Sequence, residues 1–267
     1  MHLADGIVTQ APAIVSMNLL GACAVGAAAS YALKRGARGA AWTGTLAAFV
    51  LAAQALNVPV LPGTSAHVIG AGLLALALGP ARAIIAGFAV LLVQALLLAD
   101  GGITVIGVNT LNIAVIPALA VHACRCLFGE SRRGLTLAAA IGVVLGNLAG
   151  ASSLSLALTA GAGAPAAVTV PWLLGVQALA GIGEGVLTAL AVRALLARAP
   201  ALLTRRTPES AAPRALDSDE PTRGAGKAAG SLRPVAIALG VVIALLPLAS
   251  ASPDALDVVL EHVRTAR

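Results

Sequence analysis

The first two residues of the chain, Met1 and His2, place an imidazole beside a terminal amine. This amine, the amide nitrogen of His2 and the Nδ1 atom of its ring can bind one metal ion in fused five- and six-membered chelate rings. The three nitrogens lie in one plane and leave a position for a fourth donor. Such a set suits Ni²⁺ or Cu²⁺ and accommodates Co²⁺, whereas zinc and magnesium prefer tetrahedral or octahedral sites. The terminus is therefore a candidate metal site.

The rest of the chain has the composition of a membrane protein. Of its 267 residues, 59% are hydrophobic and only 10% are charged, which excludes an ordinary soluble domain. Backbone groups in lipid must be satisfied within the segment, so we expect an all-α integral membrane protein, a seven-helix bundle with one appended transmembrane helix. Small residues dominate the apolar segments and predict close helix packing. The predicted spans are 11–33, 40–58, 68–78, 83–99, 111–128, 135–158, 170–196 and 235–249.

The basic residues predict the orientation in the membrane. With the N-terminus outside, 15 of the 17 lysines and arginines face the cytoplasm. His67 then lies on the external side with Met1 and is the candidate fourth donor, whereas His122 and His262 are poorer candidates by position. A lone histidine near a membrane interface is also a common structural residue, so the residues alone leave both interpretations of His67 open.

Three domains are predicted from composition. Residues 1–198 form the transmembrane body, 199–233 a disordered cytoplasmic linker rich in proline, glycine and both charge signs, and 234–267 an appended helix with an external tail. Because the first positive residue is Lys34, no cleavable signal peptide is expected. The linker motif "GAGKAAG" lacks the glycine and hydroxyl positions of a phosphate loop, so no nucleotide site is predicted.

Four motifs along the body resemble the CbiM/NikM family, the substrate-binding membrane subunits of energy-coupling-factor transporters for cobalt and nickel. A fifth, "ASPDALD" at 251–257, resembles the "SPDGLE" element of the small N-type subunit, with Ala255 and Asp257 where that element has Gly and Glu. The four body motifs are "MHLADG" at the start, "PGTSAHVIGAGLLALALGP" at 62–80, "LLVQALLLADGGITVIGVNTLNIAV" at 91–115 and "GIGEGVLTA" at 181–189.

The resemblance implies a metal site made by the amine of Met1, the amide and imidazole of His2, and the imidazole of His67. It also implies a covering loop that contains Asp100, Gly101, Gly102 and Asn109. Gln94 and Asn112 are candidate supports, with interhelical hydrogen bonding as the alternative. Glu184, a carboxylate inside a span, could relay protons or position the metal path, or it could be structural. Many relatives have a histidine where this chain has Gln177.

The resemblance further implies uptake of Co²⁺ or Ni²⁺ as the transported substrate, without a cofactor, across a bacterial or archaeal cytoplasmic membrane. The chain itself would be no enzyme, because ATP hydrolysis belongs to separate ATPase subunits that act through a membrane coupling subunit. A separate N-type subunit is a further expected partner, and nucleic acid is not one. Two alternatives remain: a proton-coupled secondary metal transporter, and a membrane-embedded metal-dependent enzyme, although no HExxH motif supports the second.

Overall fold

The computed structural model describes residues 2–8, 11–34, 40–55, 57–61, 64–203 and 255–265. Met1, residues 204–233 of the predicted linker and the predicted span 235–249 lie outside the described residues. The described part is mostly helical. Its helices are α1 (Pro12–Lys34), α2 (Ala40–Gln54), α3 (Ala71–Leu78), α4 (Pro80–Val93), α5 (Ile106–Thr110), α6 (Ile116–Phe128), α7 (Arg132–Ala162), α8 (Ala166–Arg198) and α9 (Ala255–Thr265).

Among the described residues, five helical segments are long and apolar enough to cross a membrane. They are 12–34, 80–98, 106–128, 132–162 and 166–198. Many of their large apolar side chains face outward, among them Leu20, Leu97 and Leu190. The chain is therefore a multi-pass membrane protein. The other two predicted spans in the described part are shorter helices, since α2 has 15 residues and α3 only eight, and the structure does not establish seven full crossings.

Two π-helical turns interrupt the apolar helices next to the loop that joins them. One, Gln94–Leu98, extends α4, and the other, Leu111–Val115, joins α5 to α6. The fifth predicted span, 111–128, therefore begins earlier than predicted, because its helix starts at Ile106. Short π-helical turns often occur at functional sites. Both lie beside the "DGG" loop.

A β-hairpin replaces the end of the predicted second span. Strand β1 (Asn57–Leu61) pairs antiparallel with β2 (Thr64–His67), and Asn57 lies opposite His67. The prediction of a helix to residue 58 was wrong because an apolar run alone does not distinguish a strand from a helix. Two valines flank Pro59 in β1, and β-branched residues and proline both favour extended backbone there. The hairpin places His67 at the end of β2, directly before the turn into α3.

The core between α6, α7 and α8 is packed through small residues, as the composition predicts. A Cβ atom added to Gly142 of α7 would lie 2.8 Å from Val121 Cα of α6, and one added to Gly185 of α8 would lie 2.6 Å from the carbonyl oxygen of Ala140. Residues larger than glycine would push these helix backbones apart. Close backbone contact of this kind is typical of membrane helices, where lipid provides no hydrophobic driving force between them.

Arg125 joins several segments of the chain at the end of the bundle opposite His67. Its buried guanidinium donates two hydrogen bonds to the Glu130 carboxylate, at 2.8 and 2.6 Å. It also donates to the carbonyl oxygens of Leu76 at the end of α3, at 2.7 Å, and of Leu203 after α8, at 2.9 Å. Arg125 is thus a structural residue as well as one of the charges that predict orientation.

Candidate metal site

The N-terminal segment is attached to α5 by the side chain of Asn109 and to the loop before α5 by a backbone hydrogen bond. Its Oδ1 accepts a hydrogen bond from the Leu3 amide at 2.8 Å, and its Nδ2 donates to the Leu3 carbonyl at 2.9 Å. The same carbonyl accepts the Gly102 amide at 2.7 Å. The Leu3 side chain is fully buried. The backbone at residues 2 and 3 therefore has a fixed position although it precedes the first helix.

A second attachment lies two residues further along. The Asp5 carboxylate accepts the amides of Ile103 and Thr104 at 3.1 and 2.8 Å, and the Thr104 hydroxyl at 2.5 Å. These hydrogen bonds, those with Thr104 foremost, hold the pKa of Asp5 below its ordinary value. The segment passes so close to the loop that a Cβ atom on Gly102 would lie 2.4 Å from Asp5 Oδ1 and 2.5 Å from its backbone nitrogen. Only glycine fits there.

Asn18 of helix α1 forms hydrogen bonds with the same loop and with the start of α5. Its Nδ2 donates to the Thr104 carbonyl at 2.9 Å, and its Oδ1 accepts the Val108 amide at 3.0 Å. The backbones of α1 and α5 touch at this crossing, because a Cβ atom on Gly107 would lie 2.3 Å from the Asn18 carbonyl oxygen. The loop is therefore fixed to both the N-terminal segment and the first long helix.

His2 and His67 meet at the centre of these contacts. Their ring centroids are 5.0 Å apart, with the ring planes inclined by 54°. His2 is 8% exposed, and neither of its ring nitrogens has a hydrogen-bond partner in the described part of the chain. Its Nδ1 lies 2.8 Å from Asp100 Oδ1, close enough for an ion pair but without the alignment of a ring N–H hydrogen bond. A buried imidazole whose Nε2 is unsatisfied is costly unless a ligand completes it.

Asp100 brings negative charge to this cluster. Burial raises its pKa, but the contact with His2 and the charges of His2 and His67 outweigh burial, so the pKa of Asp100 lies below its ordinary value. The turn before it is unusual, since Ala99 adopts a left-handed conformation with φ 54° and the Asp100 amide donates to the Gln94 carbonyl at 3.1 Å. The π-helical turn from Gln94 thus directs the carboxylate towards His2.

His67 is positioned by the segment that follows it. Its Nδ1 lies 3.2 Å from the Val68 carbonyl oxygen, which accepts a hydrogen bond when the ring proton is on Nδ1. The next residues are held by the Glu184 carboxylate, which accepts the amides of Ile69 at 3.1 Å and Gly70 at 2.7 Å. Gln54 of α2 donates to the Ile69 carbonyl at 2.6 Å.

No group of three histidine, cysteine, aspartate or glutamate side chains among the described residues has the spacing of a metal site. Met1 itself lies outside the described residues.

Comparison with known proteins identifies the family. The family model described as "Cobalt uptake substrate-specific transmembrane region", CbiM, matches residues 2–202. The chain belongs to the CbiM family. A cobalt transport protein CbiM of Kyrpidia tusciae is 34% identical over 166 residues, which cover 60% of this chain and 67% of that protein.

Two further similarities extend the comparison. A fused nickel transport protein NikMN of Rhodobacter capsulatus is 36% identical over 112 residues, 42% of this chain and 31% of that protein. A solved structure described as a truncated transition metal transporter aligns with a TM-score of 0.63 at 28% identity, covering 74% of this chain and 99% of that one. The fused relatives agree with the predicted resemblance of the C-terminal segment to an N-type subunit.

Within this CbiM-family fold, the structure gathers some of the predicted site residues and separates others. His2, His67, Asp100 and Asn109 lie around one point, and a Cβ atom on Gly101 would lie 3.4 Å from His2 Cβ and 3.3 Å from Asn109 Nδ2. The two candidate supports are buried on the π-helical turns. There, Gln94 Oε1 and both polar side-chain atoms of Asn112 have no partner in the described part, so their predicted interhelical hydrogen bonds are not observed at these atoms.

Two residues of the candidate site were missed from sequence. Asp5 lies inside the quoted "MHLADG" motif, but its pairing with Thr104 depends on a fold in which the N-terminal segment returns to the loop. Asn18 carried a usable signal, because it is a polar side chain inside an apolar span, and such residues usually face the protein interior.

Proposed function

We propose that this protein captures Co²⁺ or Ni²⁺ for uptake across the cytoplasmic membrane. The observation that carries the proposal is the buried His2, whose Nε2 has no hydrogen-bond partner in the described part of the chain, whose Nδ1 faces the Asp100 carboxylate, and whose ring lies 5.0 Å from that of His67. The cobalt and nickel transport names of its relatives support the same metals. The metal is the transported substrate, and no cofactor is needed for its capture.

The donors are the amine of Met1, the amide nitrogen of His2, which releases its proton on binding, Nδ1 of His2 and Nε2 of His67. With metal–nitrogen distances of about 2 Å, the centroids of two imidazoles on one metal lie roughly 4.5 to 6.5 Å apart, from adjacent to opposite positions. The observed separation of 5.0 Å falls near the value for adjacent positions in a plane. The separation of the rings is therefore compatible with both of them binding one ion.

Asp100 contributes charge next to this donor set. Because its Oδ1 is 2.8 Å from the His2 Nδ1 that would bind the ion, binding replaces this contact with a metal–nitrogen bond. The side chain of Asp100 is half exposed and can turn aside while its negative charge still offsets that of a divalent cation. Gly101, Gly102 and Asn109 hold the loop over the ion.

The position of the basic residues supports an external N-terminus. From residue 11 to residue 203, every described lysine and arginine lies at the helix ends opposite the His2–His67 pair: Lys34, Arg82, Arg125, Arg132, Arg133, Arg193 and Arg198. Positive charge accumulates on the cytoplasmic side of membrane proteins. The candidate site then opens to the outside, where uptake begins.

Energy for uptake comes from separate ATPase subunits that act through a membrane coupling subunit, in the manner of energy-coupling-factor transporters. The resemblance to that family supports this proposal, as do the fused relatives for an N-type element. Helix α9, within the predicted third domain 234–267, packs against α8 and against β2, the strand that ends at His67, and buries Leu256 and Val259. The appended segment thus reaches the strand of a proposed ligand.

Glu184 is a positioning residue in this proposal rather than part of a proton path. Its two oxygens accept the amides of Ile69 and Gly70 and the side-chain amide of Asn147, at 3.1, 2.7 and 3.2 Å. These contacts fix the backbone two and three residues after His67. They do not favour a proton-coupled transporter, which would need this carboxylate to exchange protons with a path.

The decisive experiment is to remove the terminal amine while retaining both histidines. A one-residue extension is not enough, because it moves the histidine to position three, where the amine, two amides and the imidazole form a four-nitrogen site by themselves. We therefore extend the chain by a flexible segment of several residues and measure Ni²⁺ and Co²⁺ affinity by calorimetry on the purified full chain.

The extension should abolish high-affinity binding, and His67→Ala should weaken it about tenfold or more, as ligand loss usually does. His122→Ala is the matched control, because His122 lies on α6 near Cys126 and not at the site. If the extended chain binds at full strength while His67→Ala does not, an ordinary histidine and carboxylate site replaces the amine chelate.

A further inference from the structure

A groove lined by arginines opens between the first turns of α7 and the last turns of α8. It has a volume of about 550 Å³, and Arg132, Arg133 and Arg193 line it. The three side chains are exposed, and none forms an ion pair with a described residue. The remaining lining residues are apolar apart from one threonine: Thr136, Leu137, Leu196 and Ala197. The groove therefore combines concentrated positive charge with an apolar wall.

A second groove, of about 310 Å³, continues along the same two helices towards the middle of the membrane. Its lining is entirely apolar: Ala140, Ile141, Val144, Leu145, Ile182 and Val186. Residues three and four apart on a helix share one face, so Arg133, Leu137 and Ala140 lie on one stripe of α7. Arg193 and Val186, seven residues apart, do the same on α8. The two grooves follow one another along the same pair of helices, and together they form what we call the α7–α8 furrow.

The length of this furrow suits a lipid. From Arg133 to Val144 the axis of α7 rises about 16 Å, roughly half the thickness of the hydrocarbon core. The arginines lie at the ends of two spanning helices, where lipid phosphates are found, and the apolar part faces outward along the spans. A soluble anion would use only the charged end of such a furrow.

We propose that the α7–α8 furrow binds an anionic phospholipid, with its phosphate against Arg132, Arg133 and Arg193 and an acyl chain along the apolar part. Guanidinium groups pair with phosphate through two parallel hydrogen bonds, and clusters of basic residues at the cytoplasmic ends of membrane helices attract anionic headgroups. The lipid fills the outer space between α7 and α8, the two longest of the described helices. This proposal is independent of the metal site.

Each arginine contributes a measurable share of the binding. A basic residue near the membrane surface strengthens attraction to anionic lipid by about fivefold. Arg193→Gln should therefore weaken binding about fivefold and the triple variant by up to about a hundredfold. Arg198→Gln is the matched control, because Arg198 ends the same helix but does not line the groove.

The experiment is native mass spectrometry of the delipidated full chain titrated with dioleoyl phosphatidylglycerol or with dioleoyl phosphatidylcholine. The wild type should prefer the anionic lipid, Arg193→Gln should lose much of that preference, and Arg198→Gln should keep it. Ile182→Trp fills the apolar part without removing charge and should weaken phosphatidylglycerol binding, whereas Leu187→Trp, on an outward face, should not. Thermal unfolding of each variant excludes misfolding as the cause.

Three results would overturn the proposal. One is equal binding of the two lipids by the wild type, and another is an equal effect of Arg193→Gln and Arg198→Gln. The third is displacement of the lipid by soluble glycerol phosphate at equal concentration, together with an unaffected Ile182→Trp, since this would show that the furrow holds an anion but no acyl chain.

Discussion

Replacing Asn109 with alanine tests whether metal capture depends on the position of the N-terminal backbone. The side chain is 1% exposed and makes a reciprocal pair of hydrogen bonds with Leu3, one residue after the proposed chelate. Asn109→Ala removes both bonds. The Leu3 carbonyl keeps the Gly102 amide as a partner, but the Leu3 amide is left buried without one.

The magnitude follows from these contacts. Each lost hydrogen bond costs about 1 kcal/mol, and an unsatisfied buried donor adds about 1 kcal/mol or more, so the attachment weakens by about 2 to 4 kcal/mol. If the segment must be attached for His2 to face His67, metal affinity should fall by up to about thirtyfold for each 2 kcal/mol lost from the attachment. The fall reflects a smaller population of the binding-competent arrangement rather than the loss of a ligand.

Calorimetry with Ni²⁺ and Co²⁺ on the purified full chain measures this effect. The neighbouring variant Thr110→Ala is the control, because the Thr110 hydroxyl bonds only within its own helix, to the Ile106 carbonyl at 2.6 Å. Its affinity should match the wild type. Wild-type affinity in Asn109→Ala, with an unchanged unfolding temperature, would refute the view that this attachment orders the site.

Three further predictions concern the contacts around the site. Gly102→Ala should lower metal affinity more than tenfold, since its Cβ would lie 2.5 Å from the Asp5 backbone nitrogen, whereas Gly183→Ala, with open space around its Cβ, should not; calorimetry compares the two. The lowered pKa of Asp5 means that its stabilising contribution is present above its ordinary pKa of 3.8 and is lost as pH falls through the lower folded value. Thermal unfolding of the wild type should therefore lose its advantage over Asp5→Asn in that acidic range, and a constant difference would contradict the assignment. Glu184→Gln replaces one accepting oxygen with an NH2 group that faces a donor amide. Stability and metal affinity should therefore each fall by about 1.5 to 3 kcal/mol, as measured by thermal unfolding and by calorimetry. Unchanged values would mean that Glu184 does not hold the His67 segment.

Much of the helical architecture could be predicted because apolar length is a strong signal. The long spans appear where the sequence places them, α7 and α8 being only a few residues longer at each end. The hairpin at 57–67 could not be predicted in this way. Most of β1 is as apolar as α2 before it. What makes it a strand is the local preference of Pro59 and its neighbouring valines for extended backbone, together with pairing to β2 that only the fold supplies.

The candidate site shows the same division between composition and contact. His2 and His67 could be selected because histidine is rare in this chain and both lie outside the long apolar runs. Their approach to 5.0 Å depends on contacts between residues about a hundred positions apart, such as Leu3 with Asn109 and Asp5 with Thr104. No local pattern encodes such pairings, so the sequence indicates candidate ligands but not the residues that hold them.

The proposed donor set explains why these supporting residues matter as much as the ligands. Two of the four donors are backbone or terminal nitrogens, whose position cannot be set by a rotamer and must be set by the path of the chain. Here that path is fixed by an asparagine, an aspartate and a glycine that touch no proposed donor atom: Asn109, Asp5 and Gly102. Substitutions at these three residues should therefore reduce metal affinity without altering the spectrum of the bound ion, whereas loss of the His67 ligand should alter both.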